Sequence, residues 1–200
     1  MAKRYRKRGL DKTAARMVAF LDGAGVENAT VLEIGGGIGE IQLELLERGA
    51  ASAVNLELSP AYDVEARALL REAGIDEGRV ARRLHDIAAD ADGVEPADVV
   101  VLHRVVCCYP DYERLLTAAA AHARRLLVFS HPRRNAVWRM VIAVQNVALR
   151  LRRREFRTFA HPRAAMLEAC RAQGLSPTFA HLGTVWQIEG LSRAAVGPGA

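Results

Sequence analysis

The stretch VLEIGGGIGE, residues 31–40, constrains this chain most: a strand-like run carrying an acidic residue breaks into glycines at 35, 36, 37 and 39. A strand that leads through glycines into a helix presents unpaired backbone amides to a ligand, and side chains there would block close approach. The loop is therefore expected to hold something nucleotide-like. Dinucleotide-binding proteins carry GxGxxG, whose third glycine lets helix and strand pack closely. Counted from Gly35 the sixth position is Glu40, and from Gly37 it is Gln42, so neither register completes that pattern.

Five short runs rich in valine and leucine read as strands: TVLEIG (30–35), SAVNLEL (52–58), VARRLHDI (80–87), ADVVVLH (97–103) and RLLVFS (125–130). Between them lie the helical candidates GEIQLELLERG (39–49), PAYDVEARALLREAG (60–74) and DYERLLTAAAAHA (111–123). A further apolar stripe over 10–22 predicts a helix ahead of the first strand. Strand alternating with helix implies an α/β fold, a mostly parallel sheet with helices on both faces. Residues 131–174 show no convincing strand and two predicted helices, the second opened by Pro162 and stopped by Gly174. SPTFAHLGTVWQIEGLSR then reads as a hairpin turning near Leu182–Gly183. At 200 residues, 50% of them hydrophobic, the chain is expected to form one domain over 1–193. Its parts are an N-terminal arm and helix (1–29), a ligand-binding core (30–130), a helical insert (131–174) and the closing hairpin (175–193); residues 194–200 are expected to fray.

A formal charge of +5 and a pI of about 9.5 raise the question of a nucleic-acid or anionic-membrane partner. The charge is clustered in KRYRKR (3–8), in RR at 124–125 and 133–134, and in RLRRR (150–154). The plainer reading is a solvated basic surface. The basic start of the chain is followed by no apolar core of a signal peptide, and the most apolar helical candidate has only ten uncharged residues between Arg139 and Arg150. Cys107, Cys108 and Cys170 suit neither a disulfide framework nor a CxxC metal or redox pair, so no metal site is expected and a reducing cytoplasm is the simplest setting.

Glu33 followed by Gly35, Gly37 and Gly39 resembles the first motif of class I S-adenosylmethionine-dependent methyltransferases, an acidic residue and then GxGxG. The resemblance implies a Rossmann-like methyltransferase fold whose seven-stranded, mostly parallel sheet closes with an antiparallel hairpin. It implies S-adenosylmethionine as cofactor and S-adenosylhomocysteine as product. Gly35, Gly36, Gly37 and Gly39 would wrap the methionine part, and Glu33 would orient the loop and the cofactor's amino group. This cofactor has no phosphate, whereas a pyrophosphate would be repelled by Glu33 and Glu40. Glu57, with Leu58 beside it, ends the second run, where a carboxylate accepts bonds from ribose hydroxyls. Asp86 and Ile87 map to the adenine position.

LHRVVCCYPDYERLL (102–116) falls where the family opens its acceptor site. The layout resembles magnesium-protoporphyrin O-methyltransferases through Tyr109-Pro110, VFSHPRR and FAHPRAAMLEACRAQGLSP, with Cys108 where those proteins have histidine. Methyl transfer from a sulfonium needs the acceptor in line and, for a hydroxyl, a base. His103, His131, Tyr109 and His161 are the candidates, with His103 and His131 following strands and favoured; His103 also borders the cofactor. Cys107 and Cys108 read more simply as small apolar residues at a helix start. Tyr5 is expected to fold over the cofactor, the alternative being a disordered basic arm. Val137, Val141, Val144, Ala148 and Leu151 form a stripe read as a lid over an apolar acceptor, with a dimer interface or a peripheral membrane contact as the other readings.

The expected activity is methylation of a small hydrophobic or aromatic metabolite, on oxygen by analogy. The alternatives are a silent cofactor-binding partner subunit, motivated by Cys108, and a nucleic-acid methyltransferase. The latter is disfavoured because the fourth strand lacks the Asn/Asp-Pro-Pro-aromatic stretch of base-amine methyltransferases. A nicotinamide oxidoreductase is disfavoured by the glycine spacing.

Overall fold

The computed structural model describes residues 1–154 and 156–194. Its strands are β1 (Thr30–Ile34), β2 (Ser52–Glu57), β3 (Val80–Leu84), β4 (Ala97–Leu102), β5 (Ala123–Pro132), β6 (Leu175–Leu182) and β7 (Trp186–Arg193). They form one sheet in the order β3-β2-β1-β4-β5-β7-β6. The first five are parallel, and β7 runs antiparallel to both β5 and β6. The helices are α1 (Ala2–Arg8), α2 (Lys12–Gly23), α3 (Glu40–Glu47), α4 (Asp63–Glu72), α5 (Tyr112–Ala121), α6 (Ala136–Leu151) and α7 (Arg163–Arg171). No helix among the described residues is long and apolar enough to cross a membrane.

Burial explains why the central strands are continuous apolar runs. β4 is covered on both faces: Val99 and Val101 pack with α2, α3 and α4 on one side, while Val100 and Leu102 pack with α5 and α7 on the other. Each face carries a fully buried anchor set, Met17, Leu21 and Ile41 on the first and Leu115, Leu116 and Phe129 on the second. The chain steps from β1 to β2 on one side and from β3 back across to β4 on the other. The carboxyl ends of β1 and β4 therefore flank the crevice where ligands sit in open α/β sheets.

One alternative is set aside and one expectation corrected. The arm does not take the alternative, disordered form: α1 is helical, and Arg6 grips Glu72 (2.7 and 2.8 Å) and Glu65 (2.9 Å) on α4. Strand β5 also runs past 130 into the segment expected to be purely helical, because β7 pairs with it through His131↔Gln187 and Pro132↔Trp186.

Candidate active site

The site begins at the end of β1. Gly35, Gly37 and Gly39 adopt φ of 63°, 56° and 77°, a left-handed conformation that L side chains resist. A Cβ at Gly36 would collide with the side chains of Asn55 and Glu33, whereas one at Gly37 would meet no protein atom within 4 Å. Gly36 is thus fixed by packing, and Gly37 keeps open the space beside the loop.

Glu57 holds this loop from the neighbouring strand. Its carboxylate accepts from the amides of Gly37 (2.8 Å), Leu58 (2.8 Å) and Ser59 (3.1 Å). Arg82 donates to the Gly37 carbonyl at 2.9 Å. Glu33 lies beneath, 2% exposed, and accepts from the Gln42 amide at 3.2 Å. Burial pushes its carboxyl up to about 8, against the opposing pull of that amide.

A cavity of about 320 Å³ opens above these groups. Glu33, Gly35, Gly36, Gly37, Glu57 and Leu58 line one side; Asp86, Ile87, His103 and Tyr109 line the other, and Met1 and Phe156 also border it. The cavity thus brings together most of the residues singled out by sequence. Gly39 lies outside the lining and starts α3, with its position tight against Gln42.

Four predicted residues are engaged otherwise than expected. Tyr5 is not in the cavity wall; its hydroxyl donates to Glu44 at 3.1 Å on α3, because α1 docks along that face. Burial and Glu44 push its phenol well above the usual range. His131 is 2% exposed and also off the cavity. Its Nε2 lies 3.4 Å from buried Glu189, which Arg163 grips at 2.8 Å. Strand period explains this: successive side chains of β5 alternate, so the residue turned toward the site is Ser130. Tyr109 does line the cavity, yet its hydroxyl donates to Asp86 at 3.0 Å, and burial together with that bond raises its pKa. It is poorly placed to take a proton. His161 donates from Nε2 to the Tyr109 carbonyl (3.1 Å) and packs on Tyr112; burial lowers its pKa, which suits a neutral structural histidine.

His103 remains, in a setting that sequence reasoning missed. Ser130 Oγ lies 3.0 Å from its Nδ1 and accepts the Arg104 amide at 2.9 Å. Its Nε2 faces Asp11 Oδ2 at 3.5 Å without a hydrogen-bond partner. Asp11 caps α2 through its other oxygen, accepting from Thr13 (2.8 Å) and Ala14 (3.0 Å), and meets Arg104 at 2.8 Å. Burial alone would raise the Asp11 carboxyl, but His103, the Ala14 amide and Arg104 outweigh it and hold the group well below the usual carboxylate range. Arg104 itself sits at φ 59° and lies over the Trp186 ring at 4.8 Å. A non-glycine residue at such an angle is held there by its surroundings.

Asp11, Glu40 and His103 offer ligand atoms within 4.8 Å of one another. Arg4 (3.6 Å from Glu40) and Arg104 already balance the two carboxylates, so the cluster reads as an ion-pair network with no surplus negative charge for a cation. The thiols of Cys107 and Cys108 are 3.6 Å apart and near the Arg104 carbonyl. The hydrogen bond to Cys108 and burial keep the Cys107 thiol protonated. Cys107 is buried, whereas Cys108 is partly buried and borders the cavity.

A family profile describing a methyltransferase domain matches residues 2–178. No curated protein matches the sequence. Among solved structures the fold is similar to that of magnesium protoporphyrin IX methyltransferase from Synechocystis PCC 6803 with bound S-adenosylhomocysteine. The TM-score is 0.75 at 18% identity, over 92% of this chain and 82% of that one. An O-methyltransferase family protein from Burkholderia thailandensis gives a TM-score of 0.71 at 20% identity, over 91% of this chain and 56% of that one. An O-methyltransferase family 2 protein from Planctomyces limnophilus, in complex with apigenin, gives 0.66 at 15% identity, over 96% and 64%. At these identities the likeness shows the shared fold.

Sheet order, closing hairpin and glycine loop together define a class I methyltransferase. The chain belongs to the methyltransferase-domain family, and its methyl donor is S-adenosylmethionine. The cavity fits that donor: the glycine loop leaves room, and two residues lining it, Glu40 and His103, carry buried polar atoms with no protein partner.

Proposed function

We propose that this methyltransferase acts on a hydroxyl of a small apolar or aromatic acceptor, with His103 taking the hydroxyl proton. The observation that carries the reading is the setting of His103, bordered by Ser130 on one nitrogen and by ionised Asp11 near the other. In this reading the glycine loop and Glu33 hold the methionine end of the cofactor, Glu57 and Leu58 the ribose, and Asp86 and Ile87 the adenine. S-adenosylmethionine supplies a methyl group activated by its sulfonium. Ser130 accepts the Nδ1–H of His103, which leaves the Nε2 lone pair for the acceptor, and Asp11 stabilises the imidazolium formed. Val105, Leu115 and Phe156 in the cavity wall favour an apolar acceptor.

Methyl transfer from labelled cofactor to hydroxylated aromatic compounds, with amine, thiol and RNA acceptors in parallel, tests the proposal. His103→Gln is expected to lower kcat about 100-fold and to remove the limb of the pH profile that reports the base. Undiminished kcat, or transfer to nitrogen or RNA alone, would refute it.

A further inference from the structure

Helix α6 has sixteen residues and none of them is buried. Val137, Met140, Val144, Val147 and Leu151 are 59–79% exposed, and Val141 is 44% exposed. At about 100° per residue these side chains fall on one continuous stripe with no polar residue inside it. The outward direction of the stripe is fixed by what the other side does. Trp138 donates to the Thr184 carbonyl at 3.0 Å, and Asn146 bonds both the amide and the carbonyl of Thr158 at 2.9 and 2.8 Å.

The flanks are cationic. Between residues 131 and 167 there are nine arginines and a single acidic residue, Glu155. Arg133 and Arg134 precede the helix, and Arg150 in its last turn leads into Arg152, Arg153 and Arg154. A second copy of the chain would bring two such sets of like charge together. A nucleic-acid backbone would use the arginines and leave the apolar stripe in water. We infer that α6 docks this protein on an anionic lipid bilayer, with the valine stripe at the acyl boundary and the guanidinium groups among the headgroup phosphates. Phe156, half exposed and part of the cavity wall, places the docked face beside the active-site mouth. An apolar acceptor could then enter from the lipid, a corollary that rests on the acceptor class proposed above; the docking itself does not.

The test is co-sedimentation of the full chain with vesicles of phosphatidylcholine alone and of phosphatidylcholine mixed with phosphatidylglycerol. Binding is expected only to the mixed vesicles, and it should weaken as salt rises. Val144→Asp with Val147→Asp should reduce it about tenfold or more, since both side chains face solvent in the free protein. Replacing Arg152, Arg153 and Arg154 by glutamine should reduce it roughly 100-fold. Binding of S-adenosylhomocysteine reports that each variant is folded. Equal binding to both vesicle types, binding to neither, or binding indifferent to both variants overturns the proposal. So does a solution dimer that the aspartate substitutions dissociate, because the occupant of the stripe is then a second copy. Methyl transfer to a water-soluble acceptor without vesicles judges the acceptor proposal separately.

Discussion

Glu33→Gln should flatten the pH dependence of stability in the ligand-free chain. Glu33 is 2% exposed, and its carboxyl is raised from an ordinary 4.5 to about 8, chiefly by burial. Below about pH 4.5 the group is protonated in folded and unfolded chains alike and makes no difference. As pH rises from there toward 8, the unfolded chain ionises Glu33 while the folded chain keeps its proton. The unfolded state then binds fewer protons, and stability falls by about 1.4 kcal/mol per unit. Across the whole window the loss approaches an order of 5 kcal/mol, an upper bound reached above about pH 8, where both states are ionised.

Glutamine mimics the protonated acid and can still accept the Gln42 amide, so the variant should match the wild type near pH 5 and exceed it by a few kcal/mol near pH 8. Urea unfolding of both proteins across this range measures the difference, and other titrating groups cancel in it. Saturating S-adenosylhomocysteine supplies a second reading. Its ammonium, received by Glu33 as the family motif implies, should drive off about one proton near pH 6.5, seen as a buffer-dependent heat of binding. Parallel stability curves, together with a binding heat indifferent to buffer, would refute the reasoning.

Two further substitutions probe the same loop. Glu57→Ala removes an acceptor shared by three amides, so affinity for S-adenosylhomocysteine, measured by titration calorimetry, should fall about 10- to 100-fold. Gly36→Ala should destabilise the fold, because its Cβ collides with Asn55 and Glu33. Gly37→Ala should cost only about 1 kcal/mol of stability while losing cofactor affinity; thermal melts beside calorimetry separate the two effects.

The sheet was legible because β1 and β4 are buried on both sides and so had to be written as unbroken apolar runs, with β6 and β7 separated by a glycine-bearing turn. On the cofactor side, the carboxylates singled out at successive strand ends, Glu33, Glu57 and Asp86, fall together along one cavity. The acceptor side was not legible. Asp11 reads locally as a helix cap, and only the packing of α2 across the end of β4 brings its second oxygen to His103. At 130–131 the histidine draws attention for its chemistry, yet strand alternation turns the serine toward the site. The stripe on α6 was visible, but apolar residues occupy both sides of that helix, and hydrogen bonds from Trp138 and Asn146 decide which side faces out.

The strand order has a consequence for assembly. β7 is the seventh strand to be synthesised, yet it lies inside the sheet between β5 and β6 and supplies Trp186 beneath Arg104. Until it inserts, a nascent chain carries an open hydrogen-bonding edge along β5 and an arginine without its aromatic support. The chain must therefore be synthesised through β7 before Arg104 gains that support. Through that interval, the bare edge of β5 is where a chaperone, or another unfinished copy, would first make contact.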